Sequence, residues 1–311
     1  MFKSKSLLML ITGIGLALII LGIIQFAQKG FVNSETETVN DSANVPVTDP
    51  IAAQYANAPA SILSAAQTEF EFSLTGTGVP GAGLSLQNDA REIARTKVSG
   101  DGEWALNFSA NATSSSLALD LLMLTPDGHQ IRSDQSLFIV KALDTPKQEG
   151  GVSTSSKALL LLTAPGAHSR VLQSPYSSLP QKNGFMLEAI DYDNSGGVIF
   201  SGSSEKQGKV RIYAGGNLVG ESHVDNQGRW SLIFGNIMPL GEYKIIAELI
   251  VPEGETVMLT LPFSRMRPMF EAENSPKILV EHLDDRIQIG RALFGGGYQY
   301  SVIYAPEALE E

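Results

Sequence analysis

The sequence predicts a mainly β protein, with two β-sandwich modules that follow an N-terminal transmembrane helix and precede a short α-containing C-terminal tail. Three observations support this fold class. The 311 residues include 30 glycines and only 18% charged side chains, a composition typical of turn-rich β proteins. Short apolar runs recur between turn signals. Several residues also repeat at a fixed spacing of 126 positions.

The first 30 residues predict a membrane anchor. Residues 7–26 form a run of 20 residues without a charge, and a helix of that length spans the roughly 30 Å of bilayer hydrocarbon. Lys3 and Lys5 precede the run, and such a bias places the N-terminus in the cytoplasm. We therefore expect a single-pass anchor at 1–30. The alternative is a cleavable signal peptide, whose apolar core is normally only about 7–15 residues long.

Two further segments are predicted to be linkers. Residues 31–67 contain acidic side chains but no Lys or Arg, and they are rich in Ala, Ser, Thr, Asn and Pro. Such a segment buries too little apolar surface to offset its ordering entropy, so we expect a disordered acidic tether. Residues 143–182 are rich in Pro, Ser and Gly. Inside them, the apolar run 158–162 is suited to pair as a strand or to dock on a neighbouring domain.

The two modules are predicted from an internal repeat. Gly76 and Gly202 are 126 residues apart, and so are Trp104 and Trp230, the two tryptophans of the chain. The same offset also relates Val98 to Val224, Gly102 to Gly228, and Leu106 to Leu232. Chance seldom keeps both tryptophans in register with several other matches, so we infer two copies of one module.

Each copy has the pattern of a series of short strands. The predicted strands are 83–87, 92–98, 103–108, 117–124 and 130–140 in the first copy, and 210–214, 217–221, 226–232, 243–251 and 256–263 in the second. Short strands at even spacing, separated by turn residues, predict a β-sandwich. We expect the modules at 68–142 and 183–267, each with its tryptophan in the core.

The first copy resembles a known family. Residues 74–84, LTGTGVPGAGL, and the later run 101–104, DGEW, are similar to the bacterial Ig-like repeats of surface and envelope proteins. Those repeats carry a G-x-x-x-PGA-x-V run and a D-G-x-W run. The second copy keeps Gly228, Arg229 and Trp230 but has no PGA run. The resemblance implies two Ig-like modules that act as spacers or adhesive units.

The tail, residues 276–311, resembles the first half of a LysM module, a βααβ fold that binds the glycan of peptidoglycan or chitin. The residues that match the family pattern are Val280, Asp284, Ile289, Phe294 and Gly295. The resemblance implies a short helix that begins near Asp284. It also implies candidate glycan contacts at Asp284, Asp285 and Arg286, where the first binding loop of the family lies. The alternative is a relic that packs against the second module.

The sequence contains no constellation typical of catalysis or metal binding. Its four histidines have no ligand spacing, and its lack of cysteine excludes thiolate metal sites and thiol nucleophiles. Residues 191–196 resemble the opening of a calcium loop, but Gly202 stands where an EF-hand needs Glu. A hairpin turn explains the same residues. We therefore expect no enzymatic activity, no cofactor and no bound metal.

Together these features predict a non-catalytic protein anchored in a bacterial inner membrane, with its C-terminal region in the periplasm. Peptidoglycan is the expected partner, contacted through the LysM-like tail with the Ig-like modules as spacers. The alternative is a periplasmic scaffold that binds other envelope proteins through the Ig-like modules, with a tail that binds nothing. The net charge of −11 argues against a nucleic-acid partner.

Overall fold

The computed structural model describes residues 58–68, 71–110, 116–141, 157–176, 178–252, 254–266, 278–292 and 297–310. The membrane anchor expected at 1–30 and residues 31–57 of the expected tether lie outside them. None of the helical structure in the described ranges is long and apolar enough to cross a membrane. The described chain is mainly β, which confirms the predicted class, and its one helical element is the short 3-10 turn Pro306–Ala308.

The first seven strands form two packed sheets, which we call sandwich 1. They are β1 (Ser61–Thr68), β2 (Glu71–Thr77), β3 (Gly83–Asn88), β4 (Arg91–Lys97), β5 (Glu103–Ser109), β6 (Leu117–Leu124) and β7 (Gln130–Val140). One sheet has the order β1-β2-β5, and the facing sheet contains β4-β3-β6-β7. Alternate side chains of each strand point into the core between the sheets, as Trp104, Leu106 and Phe108 of β5 do.

Three strands form within the segment expected to be the second linker. They are β8 (Leu159–Thr163), β9 (Arg170–Gln173) and β10 (Gln181–Lys182). β8 and β9 continue the larger sheet of sandwich 1 beyond β7, giving six strands. All five side chains of β8 are buried, because the strand has protein on both of its faces. The apolar run noted in the sequence therefore pairs as a strand.

The next seven strands form sandwich 2, with the same arrangement. They are β11 (Phe185–Asp193), β12 (Val198–Ser204), β13 (Lys209–Ala214), β14 (Asn217–His223), β15 (Arg229–Phe234), β16 (Gly241–Ile250) and β17 (Val257–Arg265). One sheet contains β15-β12-β11, and the facing sheet has the order β14-β13-β16-β17. β10 pairs with the start of β11.

The repeat of 126 residues is visible in matching atoms of the two sandwiches. Gly76 pairs with Trp104 across β2 and β5, and Gly202 pairs with Trp230 across β12 and β15. A Cβ built on Gly76 would lie 2.5 Å from Cζ2 of Trp104, and one built on Gly202 would lie 2.7 Å from Cζ2 of Trp230. Both tryptophans are buried, as predicted, and each glycine is required because an indole covers it.

The tail forms strands, so the predicted α-containing tail is wrong. β18 (Ile278–His282), β19 (Arg286–Ala292) and β20 (Tyr298–Tyr304) join the free edge of β11 and extend the sheet to the order β15-β12-β11-β20-β19-β18. In β19 the apolar Ile287 and Ile289 flank Gln288, which is the period of a strand rather than of a helix. Two β-branched residues and Gly290 also favour an extended backbone over a helical one.

A third apolar cluster joins the two sandwiches, and we call it the central cluster. The larger sheet of sandwich 1 supplies β7 and β8, and the extended sheet of sandwich 2 supplies β19 and β20. The buried members are Phe138, Val140, Leu159, Leu161, Leu179, Ile287, Ile289 and Ile303. Each of these two sheets therefore has a core on both of its faces, and the described chain is a stack of four sheet layers.

Candidate functional site

The three predicted glycan contacts lie together at the turn between β18 and β19. The backbone N–H of Leu283 donates a hydrogen bond of 2.9 Å to the carbonyl oxygen of Arg286 and closes the turn. Nη1 of Arg286 lies 3.2 Å from Oδ2 of Asp285, so these two side chains satisfy each other's charge. Asp284 is exposed at the tip. The turn is the end of a β-hairpin and does not open a helix.

The body of the protein holds this turn in place. The backbone N–H of Ala305 donates a hydrogen bond of 2.8 Å to the carbonyl oxygen of Asp285. Tyr176 packs against the central cluster, and burial raises the pKa of its phenol to about 12, with smaller effects from Asp285 and Glu307. Asp285 is therefore partly engaged by the protein itself, while the exposed Asp284 is available to a ligand.

A second candidate site lies where β9 approaches sandwich 2. This groove, which we call the basic groove, has a volume of about 470 Å³. The lining residues that carry its chemistry are Leu63, His168, Arg170, Asp225, Arg229 and Trp230. Its size is in the range of small-ligand pockets.

The turn before β15 positions one wall of the basic groove. Oδ1 of Asp225 accepts hydrogen bonds from the backbone N–H groups of Gln227, at 2.8 Å, and Arg229, at 2.9 Å. Gly228 has a φ of +76°, which a side chain would disfavour. The hydrogen bonds to the Asp225 carboxylate lower its pKa, so it stays charged. The turn thereby fixes where Arg229 and Trp230 enter β15.

The two guanidinium groups of the groove differ in their contacts with carboxylates. Nη2 of Arg229 lies 3.1 Å from Oε2 of Glu188, a buried carboxylate on β11. Arg170 is half-buried at the start of β9 and forms no close salt bridge in the described ranges, but the charge of Glu188 acts on it as well and opposes the lowering of its pKa. Its Nε is buried without a hydrogen-bond partner. Burial and the nearby Arg229 both lower the pKa of the Arg170 guanidinium.

His168 adds a third basic side chain. Burial lowers the pKa of this imidazole most, and the positive charge of Arg229 lowers it further. The imidazole is therefore neutral near pH 7, with one nitrogen that donates and one that accepts a hydrogen bond. The positive charges of the groove are consequently those of its two arginines, and the carboxylates of Asp225 and Glu188 lie close enough to offset them.

Sandwich 1 has a groove at the matching place, with different chemistry. Its volume is about 520 Å³, and Leu63 lines it as well. Glu103 stands where sandwich 2 has Arg229, at the repeat offset of 126. Nε1 of Trp104 donates a hydrogen bond of 3.0 Å to the carbonyl oxygen of Thr77, whereas Nε1 of Trp230 has no partner.

Sequence reasoning missed the basic groove because its walls come from separate regions. His168 and Arg170 belong to the segment expected to be a linker, and the position of β9 depends on long-range pairing with β8. One signal was present in the sequence. The two copies of the module differ in charge sign at Glu103 and Arg229, directly before the matched tryptophans.

The other candidates that the sequence raised have local structural roles. The carboxylate of Asp193 accepts hydrogen bonds of 2.9 Å from the backbone N–H groups of Ser195, Gly196 and Gly197, which closes the expected hairpin turn. His129 lies 3.3 Å from Asp127 on the surface. In the described part of the chain, no group of three or more His, Asp or Glu side chains is placed to hold a metal ion.

Comparison with known proteins adds no family assignment. No protein-family model matches the chain, and no curated protein matches it. The functional argument therefore depends on the geometry of the described residues.

Proposed function

We propose that this protein is a non-catalytic, membrane-anchored interaction scaffold of the bacterial cell envelope, with Ig-like modules that present binding surfaces in the periplasm. The observation that carries the proposal is the central cluster. It fixes two sandwiches, the linker strands and the tail strands in one stack, so surfaces far apart in sequence keep a constant relative position. Constant spacing is the property that a scaffold needs and that a flexible string of modules lacks.

The sheet orders support the Ig-like assignment. Sandwich 1 has β1-β2-β5 facing β4-β3-β6-β7, and sandwich 2 repeats this arrangement with β11-β12-β15 facing β14-β13-β16-β17. In sandwich 1 the chain crosses between the sheets after β2, β4 and β5, and sandwich 2 crosses at the matching places. This is a Greek-key arrangement of the kind found in Ig-like and fibronectin type III sandwiches. Folds of this class serve many binding roles, so the fold supports a binding protein without naming its ligand.

Membrane anchoring is supported by the sequence of residues 7–26, with two lysines before the run and an acidic segment after it. A peptidoglycan contact through the tail is the second candidate function. The exposed Asp284, next to the Asp285–Arg286 pair, is the observation that favours it. The strand structure of the tail argues against a LysM-type grip, so we give the scaffold role first place.

One experiment separates the two candidates. The full chain is purified in detergent and sedimented with peptidoglycan sacculi, and the same chain is cross-linked in living cells. A triple variant, Asp284→Ala, Asp285→Ala and Arg286→Ala, is compared with the control Asp89→Ala, which alters the β3–β4 turn of sandwich 1.

The scaffold role predicts discrete cross-linked complexes with envelope proteins, formed equally by the triple variant. It also predicts no specific sedimentation with sacculi. Sedimentation that the triple variant loses and the control keeps would instead establish the peptidoglycan contact. The scaffold proposal is wrong if the full chain forms no protein complex in cells.

A further inference from the structure

One end of sandwich 2 exposes three large apolar side chains, and we call these residues the apolar tip. They are Ile237 and Leu240, in the loop between β15 and β16, and Met266, directly after β17. Their exposed fractions are 73%, 45% and 46%. Gly241 pairs with Arg265 where β16 begins and β17 ends, so Leu240 and Met266 extend from the same end of this sheet. Large apolar side chains that cluster on a surface often mark a contact site.

The loop of the apolar tip is held in a fixed shape. Met238, the residue after Ile237, is buried in the core of sandwich 2. Its backbone N–H donates a hydrogen bond of 3.2 Å to the carbonyl oxygen of Gly196. The hydroxyl of Tyr243 donates a hydrogen bond of 2.9 Å to the carbonyl oxygen of Pro239. The exposure of Ile237 is therefore a property of an anchored loop, which presents this side chain to its surroundings.

The internal repeat shows that the fold does not require an apolar loop at this place. Residues 237–240 read IMPL, and the residues of the first copy at the offset of 126, 111–114, read NATS. Asn111 and Ser114 thus stand where the second copy has Ile237 and Leu240. Exposing Ile and Leu to water is unfavourable, so their presence in one copy alone indicates a contact that this copy makes.

The absence of charge in this loop favours lipid as that contact. Residues 230–241, WSLIFGNIMPLG, contain no Asp, Glu, Lys, Arg or His, although the chain has a net charge of −11. An uncharged surface enters the interface of a bilayer without the cost of desolvating an ion. Glu242 follows at once and is exposed, so only the side chains of the tip can enter and the contact is shallow.

The length of chain before sandwich 1 allows the apolar tip to reach the membrane. Residues 27–57 separate the apolar run 7–26 from Ala58, where the described chain begins, and these 31 residues can span up to about 100 Å. The longest described strand, β7, has 11 residues and is roughly 37 Å long. A body built from such strands can therefore turn either end of a sandwich toward the bilayer.

The small size of the apolar tip also favours a bilayer over a partner protein. A stable contact between two proteins normally covers about 800 Å² on each partner, which is more than three side chains provide. A bilayer is different, because the anchor already holds the chain beside it. A weak second contact with the same membrane then forms without a separate association step.

We propose that the apolar tip inserts into the surface of the lipid bilayer that holds the anchor. Ile237, Leu240 and Met266 enter the boundary between headgroups and acyl chains, and Glu242 stays in water. This inference rests on the membrane anchor of the proposed function. It deepens that function, because the contact turns one end of sandwich 2 toward the membrane and so sets the direction in which the stack presents its other surfaces.

The test uses the full chain reconstituted into phosphatidylcholine liposomes, with and without lipids that carry a doxyl quencher on the acyl chain. The chain has no cysteine, so one introduced cysteine can carry a fluorophore at a chosen position. Met266→Cys labels the tip, and Met258→Cys labels the outer face of β17, where the native side chain is similarly exposed at 48%. We expect the quencher to remove about half or more of the fluorescence at 266 and little at 258, because an inserted apolar side chain lies roughly 5–10 Å into the bilayer boundary.

Substitutions then assign the quenching to the apolar tip. Ile237→Asn combined with Leu240→Ser gives the second copy the loop residues of the first, and this double variant should lose the quenching at 266. Leu124→Ser is the matched control, because it removes a side chain of sandwich 1 that is 48% exposed and should leave the quenching unchanged. If the double variant does not fold, Leu240→Ser alone and the comparison of the two label positions still decide the result.

The outcomes separate this proposal from the proposed function. Absence of quenching at 266, equal quenching at 266 and 258, or quenching that the double variant retains would overturn the tip contact and leave the cross-linking test of the scaffold role unchanged. Flotation of the liposomes tests the anchor in the same samples. If the full chain does not float with them, the anchor and the tip contact are both wrong, whereas flotation without quenching at 266 refutes the tip contact alone.

Discussion

Oδ2 of Asp191 accepts a hydrogen bond of 2.7 Å from the backbone N–H of Ser169. The hydroxyl of Ser169 donates to the other oxygen, Oδ1, at 2.6 Å, and the hydroxyl of Ser301 donates to Oδ1 as well. Asp191 belongs to β11, Ser301 to β20, and Ser169 to the segment before β9. One buried carboxylate therefore connects sandwich 2, the tail and the linker strands.

Removal of this carboxylate should be costly. Asp191→Ala would leave the donors of Ser169 and Ser301 buried without an acceptor, and we expect it to lower the free energy of unfolding by about 3 kcal/mol. Asp191→Asn should cost less, because its amide oxygen can accept from the Ser169 N–H while the hydroxyls rotate to accept from its NH₂. Urea unfolding at pH 7 measures both. Equal losses for Ala and Asn would contradict the hydrogen-bond account.

The same residue predicts a pH dependence. Burial raises the pKa of the Asp191 carboxyl above its ordinary value of 3.8, although the hydrogen bonds from Ser169 and Ser301 and the charge of Arg291 oppose the increase. The folded state then binds more protons than the unfolded state, so the contribution of Asp191 to stability decreases as the pH rises from about 4 through the folded-state pKa. The Asp191→Asn variant lacks this titrating carboxyl group. Its stability relative to the native chain should therefore increase over that range, as measured by urea unfolding at a series of pH values.

The glycine beneath each tryptophan should tolerate no side chain. A Cβ at Gly202 would meet the backbone carbonyl oxygen of Met186 and lie 2.7 Å from the Trp230 ring. Gly202→Ala should therefore lower the free energy of unfolding by about 2–3 kcal/mol, the cost of overpacking. Trp230→Ala should lower it by about 3–5 kcal/mol, the cost of truncating a large core side chain. Gly216→Ala is a poor control because its φ is +84°, whereas Gly235 has open space around it and should accept Ala with little loss.

Several strands and the buried positions of both tryptophans could be predicted from the sequence, because they depend on local patterns. The strands expected at 117–124 and 130–140 coincide with β6 and β7, and both tryptophans lie in cores as expected. The repeat made this possible, since one copy supports the interpretation of the other. The prediction of an α-containing tail was wrong because it followed the resemblance to a LysM module, although the alternation of Ile287 and Ile289 about Gln288 has the period of a strand. The free edge of β11, about a hundred residues earlier, then provides the sheet that these strands join.

The basic groove could not be derived from local patterns at all. Arg170 and Arg229 are 59 residues apart and meet only because β9 continues the sheet of sandwich 1 while the central cluster holds that sheet against sandwich 2. Nothing in the composition of residues 143–182 indicated that a basic residue there lines a groove. Sites assembled by packing between modules require the packing to be known.

Opposite faces of β8 should be equally important for stability. Leu160 lies in the core of sandwich 1 and Leu161 in the central cluster, and both are fully buried. We expect Leu160→Ala and Leu161→Ala each to lower the free energy of unfolding by about 2–5 kcal/mol. Ile233→Ala is the control, because that side chain is 65% exposed and should change stability by less than about 0.5 kcal/mol. A large effect of Leu160→Ala alone would mean that the sandwiches do not pack through the central cluster in solution.

The tail should be an integral part of sandwich 2. Tyr300, Val302 and Tyr304 of β20 are buried in its core, and the hydroxyl of Tyr304 donates a hydrogen bond of 2.7 Å to the carbonyl oxygen of Pro262 on β17. A chain that ends at residue 270 would lack these side chains, so it would expose the part of the sandwich 2 core that they cover and the edge of β11. We expect it to show a lower melting temperature and greater protease sensitivity in sandwich 2.

Point substitutions test the same contact without removing the strand. Tyr304→Phe keeps the ring but loses the hydrogen bond, and should lower the free energy of unfolding by about 1 kcal/mol. Tyr304→Ala also leaves a cavity, and should lower it by about 3–5 kcal/mol. Denaturant unfolding of the full chain measures both losses. If the tail did not pack into sandwich 2, neither variant would lower the free energy of unfolding. If the losses are found, the tail belongs to the fold, and a peptidoglycan contact must be tested by substitution at the turn of Asp284 rather than by truncation.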